Sequence, residues 1–451
     1  MRLFFLSSIF CLVHLTVWAE ADLNYREFTG SNGKTITAAL LDKTESMVTM
    51  KLKSGRTAKF EITKLSEEDQ AFVRDWNMEK DLFVRSCRGL TIRELLELRG
   101  YESFKFIISG NHIFVDGMLN EAKARFMIDT GAGGTVLDVK SATDAECEVG
   151  PMDQVIRGIG GEAPAAITRV ARITLGESIL NDLTVLSADL FRERKNPVRD
   201  HDGIFGAEFL HQLDAVISYQ EGRIFFRPDL ADAAEGEKDG DAHLEFRIFR
   251  TNDRKTFKGN VAEKTATAVT LALQDGQEVQ LPINRLVEED ANFVFSWTPE
   301  RDIFLRKCHT LTTQDLLELR GYQSFIYERK GNHIFVDGTL NGHETTFMID
   351  SGAGTSVLDL ETAKNTECEV GEMDQWIYGV GGKAPAAVTK VNKLTMGRAV
   401  ATNRKLLSAD LYEDAPEDYA RPFGAIFGAD FLRELNGVVN YRENRVFLRQ
   451  D

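Results

Sequence analysis

The chain has 451 residues, of which 54 are basic and 70 acidic, for a formal net charge of −16. An acidic surface argues against a nucleic-acid partner, which calls for a basic footprint. The length allows two to four domains.

Arg2 precedes an apolar run over residues 3–18, and Val17-Trp18-Ala19 and Ala19-Glu20-Ala21 offer small residues for signal peptidase. This is a secretory signal pattern over 1–21, and the run is shorter than the roughly 20 residues that span a bilayer. No later stretch is apolar enough to cross one. The expectation is an exported chain, secreted or periplasmic, with no stable membrane insertion after signal removal.

Beyond the signal pattern the chain repeats itself. Trp76 and Trp297, Cys87 and Cys308, Asp129 and Asp350, and Cys147 and Cys368 each lie 221 residues apart, and Gly206 and Gly428 lie 222 apart. The extra residue falls between Asp189 and Gly203, where the copies diverge most, so that stretch reads as a surface loop. The period is too long for a solenoid and marks a duplicated two-domain unit.

Each unit opens on a β-rich segment, 22–78 and 244–299. In the first, residues 34–39, 47–52 and 57–62 alternate or carry β-branched side chains, with Ser54-Gly55 as a turn; Asp275-Gly276 is its counterpart. Ser66 caps a short helix. Helical connectors come next, 79–103 and 300–324, with Thr91 or Thr312 as caps and Gly100 or Gly321 as stops. The third part of each unit is 104–229 and 325–451, and 230–243 reads as a flexible acidic linker.

Inside the third part, Gly110-Asn111-His112 returns as Gly331-Asn332-His333. The histidines recur at equivalent places, yet no second His or Cys sits at ligand spacing, so a hydrogen-bonded structural histidine is expected and no metal. Next comes Phe126-Met127-Ile128-Asp129-Thr130-Gly131-Ala132-Gly133, repeated as Phe347-Met348-Ile349-Asp350-Ser351-Gly352-Ala353-Gly354. Apolar neighbours raise the cost of ionising the lone carboxylate, and two such aspartates facing each other would share a proton. Gly158-Ile159-Gly160-Gly161 and Gly379-Val380-Gly381-Gly382 read as hairpin tips. Ile204-Phe205-Gly206 and Ile426-Phe427-Gly428 then lead into short helical runs.

This order of aspartate turn, glycine-rich hairpin and apolar-apolar-glycine resembles the retropepsin-like aspartic proteases over about 125 residues of each half. The resemblance implies a mainly β fold whose two lobes pair within one chain as a pseudo-dimer. It implies a monomeric endopeptidase acting on peptide or protein substrates, with no cofactor. Asp129 and Asp350 would be catalytic, Thr130 and Ser351 would cross-link the loops beneath them, and Gly131 and Gly352 would donate backbone N–H groups to the carboxylates. The glycine hairpins would be flaps, with Val155 and Arg157 in one facing Trp376 and Tyr378 in the other. Ala132 and Ala353 stand where many pepsins carry a hydroxyl, which is retroviral-like. A peptide-binding protein without activity, or a dimer with two sites, are the alternatives. The opening segments resemble the small SH3-like barrel called the Sla homology domain, which implies either peptide binding or a spacer.

Four cysteines remain after signal removal. An even count in an exported chain suggests disulfides; of the three possible pairings the duplication favours Cys87–Cys147 and Cys308–Cys368, and four buried thiols are the alternative.

Overall fold

The computed structural model describes residues 23–97, 99–159, 161–192, 199–228, 246–308, 311–379, 382–397, 399–413 and 421–449. The signal-peptide pattern, the acidic linker, and Gly160, Val380 and Gly381 of the hairpin tips lie outside them. The chain divides into two compact units, one comprising Met1–Thr91 with Thr310–Gly321 and the other Ile92–His309 with Tyr322–Asp451.

In the first unit, Arg26–Thr29, Thr35–Lys43, Met47–Leu52 and Thr57–Glu61 form a four-stranded antiparallel sheet in chain order. Alternation puts Ala38, Leu40, Val48 and Met50 on one face, where they pack with Phe28, Ile62, Leu65 and Val73. The Ser66 hydroxyl accepts from Asp69 N–H and starts the helix Glu67–Asp75. The helix Thr313–Leu319 belongs to the second copy but packs here, against Met78–Ser86. It begins at a reciprocal capping box of Thr312 and Asp315.

The second unit holds the other four-stranded sheet and both large β lobes. Arg247–Arg250, Thr256–Lys264, Ala268–Leu273 and Glu278–Pro282 repeat the first sheet's order. An ion cluster ties it to the first lobe. Arg247 is buried between Glu97 and Asp290, while Arg93 and Arg223 both reach Glu289. Burial alone would raise Glu97, but Arg247 and Arg93 overcome it and hold the carboxyl below its ordinary range. Each short connector helix therefore packs with the other copy: Ile92–Glu97 of the first copy here, and Thr313–Leu319 of the second copy in the first unit.

Each lobe is a nine-stranded sheet, and the two share one strand order. In the first lobe, Gly203–Phe205 runs parallel to Ala122–Ile128 and antiparallel to Val136–Asp138. Between those last two strands lies the Asp129 loop, so the parallel pairing fixes where the aspartate emerges. The second lobe repeats this with Ala425–Gly428, His343–Asp350 and Val357–Asp359.

A six-stranded sheet joins the lobes. Its order is Gln323–Ile326, Arg445–Leu448, Val438–Asn440, Val216–Ser218, Arg223–Phe226, Glu102–Lys105, three strands from each lobe. At its centre Val216 pairs with Asn440 and Ser218 with Val438. Above it a single core runs through both lobes, with Phe126, Phe205, Phe226, Phe347 and Phe427 all buried. Each such ring contributes about 1.5–3 kcal/mol on leaving water.

The four described cysteines are free thiols, which corrects the expected disulfides. The Cys308 thiol donates to Phe304 O at the end of its own helix, and Cys87 does the same to Phe83 O. Cys147 and Cys368 each accept from a loop asparagine, Asn120 and Asn341. Duplication argued that each unit could close its own bridge, but the thiols are held locally instead.

Candidate active site

The two aspartate loops meet at the pseudo-twofold axis. Thr130 and Ser351, both fully buried, make four hydrogen bonds across the lobes, two of them with each other. Thr130 Oγ1 donates to Ile349 O at 2.9 Å and accepts from Ser351 N at 2.8 Å. Ser351 Oγ donates to Ile128 O at 2.9 Å and accepts from Thr130 N at 3.0 Å. A donor-acceptor hydroxyl is needed at both positions for this closed pattern, and Thr and Ser are the small residues that supply one.

Above this cross-link sit the carboxylates. Asp129 Oδ1 accepts from Gly131 N at 2.8 Å and Ala132 N at 2.9 Å, and Asp350 Oδ1 from Gly352 N at 2.8 Å and Ala353 N at 3.0 Å. The two side chains are hydrogen-bonded to each other. Burial pushes Asp350 well above the usual carboxylate range, and the neighbouring charge of Asp129 and the bond between them raise it further. Gly131 faces the Asp350 carboxylate and Gly352 faces that of Asp129 so closely that a methyl group at either would collide with it. Glycine is required here by approach, since no other side chain leaves room.

The apolar-apolar-glycine segments act from behind. Asp129 N donates to Phe205 O at 3.1 Å, and Gly206 N donates to Thr135 Oγ1 at 3.0 Å. In the second lobe Gly428 N donates to Ser356 Oγ, whose hydroxyl in turn donates to Asp430 at 2.7 Å. Either side of the dyad carries an apolar wall. Phe114, Met127 and Ile204 pack with Ala132, and Phe335, Met348 and Ile426 pack with Ala353 and the hairpin-tip residue Ile159. That tip comes from the first lobe, so it reaches the second, and Gly379 lies directly against Ile159 O.

The hairpins themselves pair Gln154–Gly158 with Gly161–Leu175 and Gln375–Gly379 with Gly382–Met396. Alternation turns Ile156 and Ile377 inward, buried among Ala163, Ala165 and Ala188 in one lobe and Ala384, Ala386 and Ala409 in the other. Val155, Trp376 and Tyr378 lie on the opposite, exposed face. There Lys383 sits over the Trp376 ring at 4.1 Å, and Arg157 pairs with Glu162 at 2.7 Å. The inward isoleucines were missed because neither hairpin's strand phase is marked by its glycines.

Asn111 and Asn332 were also missed. Asn111 Nδ2 donates to Gly354 O at 2.8 Å and Asn332 Nδ2 to Gly133 O at 2.7 Å, each reaching across to the other lobe's aspartate loop. Their recurrence in Gly-Asn-His was the available signal. Among the described residues, no group of three or more His, Cys, Asp or Glu is placed to hold a metal. No described helix is long and apolar enough to cross a membrane.

Comparison with known proteins bears on the same segments. The family described as aspartyl protease matches residues 115–209 and 336–431, one match per lobe. No curated protein matches the chain. Among solved structures, a retropepsin-like aspartic protease from Rickettsia conorii is 19% identical, with 28% of this chain and 98% of that chain covered and a TM-score of 0.22. The EIAV protease complexed with the inhibitor HBY-793 is 24% identical, with 22% and 86% covered and a TM-score of 0.18.

Proposed function

From the premise that this chain duplicates an aspartic protease-like fold, over residues 115–209 and 336–431, we propose that it is an exported endopeptidase with one active site shared by both copies. The observation that carries the reading is the contact between Asp129 and Asp350, hydrogen-bonded to each other above the Thr130–Ser351 cross-link. Two like charges at contact cannot both ionise, so one carboxylate is ready as base while the other is ready as acid. The ionised member takes a proton from water as the water attacks the peptide carbonyl. The protonated member donates to the carbonyl oxygen, giving a tetrahedral diol, and a proton then passes to the leaving nitrogen. The titration belongs to the pair, and neither aspartate owns one role. Thr130 and Ser351 hold the carboxylates in register, and the apolar walls beside Ala132 and Ala353 suit extended peptides with apolar side chains.

The test is a peptide-library digest comparing wild type with Asp129→Asn and Asp350→Asn. Each variant is expected to stay folded and to lose cleavage by about 10²–10⁴-fold, the usual scale of general acid–base contributions. Retention of more than about a hundredth of wild-type kcat in either would overturn the shared site. A statine-type diol mimic should bind wild type far better than the variants; equal binding would favour a peptide-binding scaffold. Light scattering on the exported protein is expected to give a monomer. Export itself predicts a mature N-terminus near residues 20–22, read by N-terminal sequencing, and an intact Met1 on the exported protein would sink that part.

A further inference from the structure

The repeated Gly-Asn-His hairpins have no part in the proposed chemistry, yet both reach the aspartate loops of the opposite lobe. His112 Nε2 lies 3.1 Å from where a methyl on Gly354 would stand, and His333 Nε2 lies 3.3 Å from the same point on Gly133. The His112 ring donates to the backbone carbonyl of Gly352, the residue whose own N–H holds Asp350. Each hairpin adds an asparagine bond to the same opposing loop. The contacts are thus reciprocal: lobe one grips the Asp350 loop and lobe two grips the Asp129 loop.

We propose that His112 and His333 are positioning residues that lock the two aspartate loops together from outside, each through an Nε2–H directed at the opposite lobe. Their role is distinct from that of the Thr130–Ser351 cross-link, which binds the loops from beneath. Both Nδ1 atoms are buried without a partner. An N–H buried there with no acceptor would be costly, which assigns the proton to Nε2 and leaves Nδ1 as a bare lone pair. Burial also lowers the proton affinity of His112, against the opposing pull of Asp129, so the ring stays neutral; His201 and Asp200 are the other titratable groups facing it. Glutamine can place its amide nitrogen about where Nε2 sits, while leucine fills the space without a donor. The two variants therefore separate hydrogen bonding from packing.

The kinetic arm rests on the protease reading; the spectroscopic arm does not. With ¹⁵N-histidine in the full chain, two histidines are expected as Nε2–H tautomers with slowly exchanging ring protons, one lost in His112→Leu and the other in His333→Leu. Assignment of those two rings as Nδ1–H tautomers, or fast exchange of their protons, overturns the proposal. In peptide cleavage, His112→Leu is expected to lower kcat by about 10–100-fold with KM within about threefold, because the carboxylates lose their mutual geometry. His112→Gln is expected to stay within about threefold of wild type. A glutamine variant as slow as the leucine one, or a loss confined to KM, overturns the positioning role. If wild type cuts no peptide, the protease reading fails, and the tautomer spectra alone decide the clasp.

Discussion

At the scale of single residues, Asp350 pits stability against chemistry. Burial, then the charge and hydrogen bond of Asp129, lift its proton affinity in the folded chain. In the unfolded chain it titrates near about 3.9. The folded state therefore binds more protons over the window between that value and the raised one, and stability falls as pH rises through it. Asp350→Asn removes this penalty, and with it the cleavage proposed above. Its unfolding temperature is expected to match wild type near pH 3 and to exceed it at pH 7, by about 2–4 °C for each kcal/mol regained. A lower melting point at pH 7 would show that the carboxylate stabilises the fold. The carboxylates and their support were legible in the sequence because aspartate, hydroxyl and glycine are adjacent there. The Asn111 bond to Gly354 spans 243 positions, and no local pattern reports a contact of that range. Recurrence of Asn111 and His112 showed only that something required them.

Strands and helices were legible where a side-chain period shows: Ser66 caps its helix, and the strands of the first four-stranded sheet fall near their expected places. The central six-stranded sheet was not, because its strands of three or four residues are too short to display alternation and pair across lobes. One of those strands carries a buried acid. Glu102 accepts from Glu177 N and pairs with Arg250, yet burial outweighs both and pushes its pKa up to about 7. The second copy has Gln323 at this position, against Gly397 as Glu102 is against Gly176. With an unfolded value near about 4.3, the Glu102 contribution is intact at low pH and is lost as pH climbs toward 7. Glu102→Gln is thus expected to leave thermal stability unchanged near pH 4 and to raise it at pH 8. If the variant instead melts lower at pH 8, the Arg250 pair outweighs the burial.

For the whole molecule, sequence order and spatial order part company. The repeat marks a duplicated two-domain unit, whereas the second four-stranded sheet is bound to the first copy through Arg247 with Glu97 and Arg223 with Glu289. Arg26 and Asp69 occupy the equivalent places in the first copy, and there the arginine is 29% exposed. Removing one member of a buried pair strands its partner, at about 3–5 kcal/mol; Arg247→Leu strands two buried carboxylates, Glu97 and Asp290, and Arg26→Leu only the buried Asp69. Arg247→Leu is accordingly expected to cost more than Arg26→Leu in urea unfolding. Equal costs would show that the second stranded carboxylate adds nothing.

The six-stranded sheet has one more implication. Its central ladder, Val216 to Asn440 and Ser218 to Val438, is made of backbone bonds between the two halves. What brings the aspartates together is that ladder and the shared core, and the peptide link between the halves only raises their local concentration. Two separate polypeptides, 1–229 and 246–451, would accordingly reassemble on mixing. The proposed cleavage would then grow with the product of the two fragment concentrations, turning the molecule into a coincidence detector that reports when both pieces share a compartment.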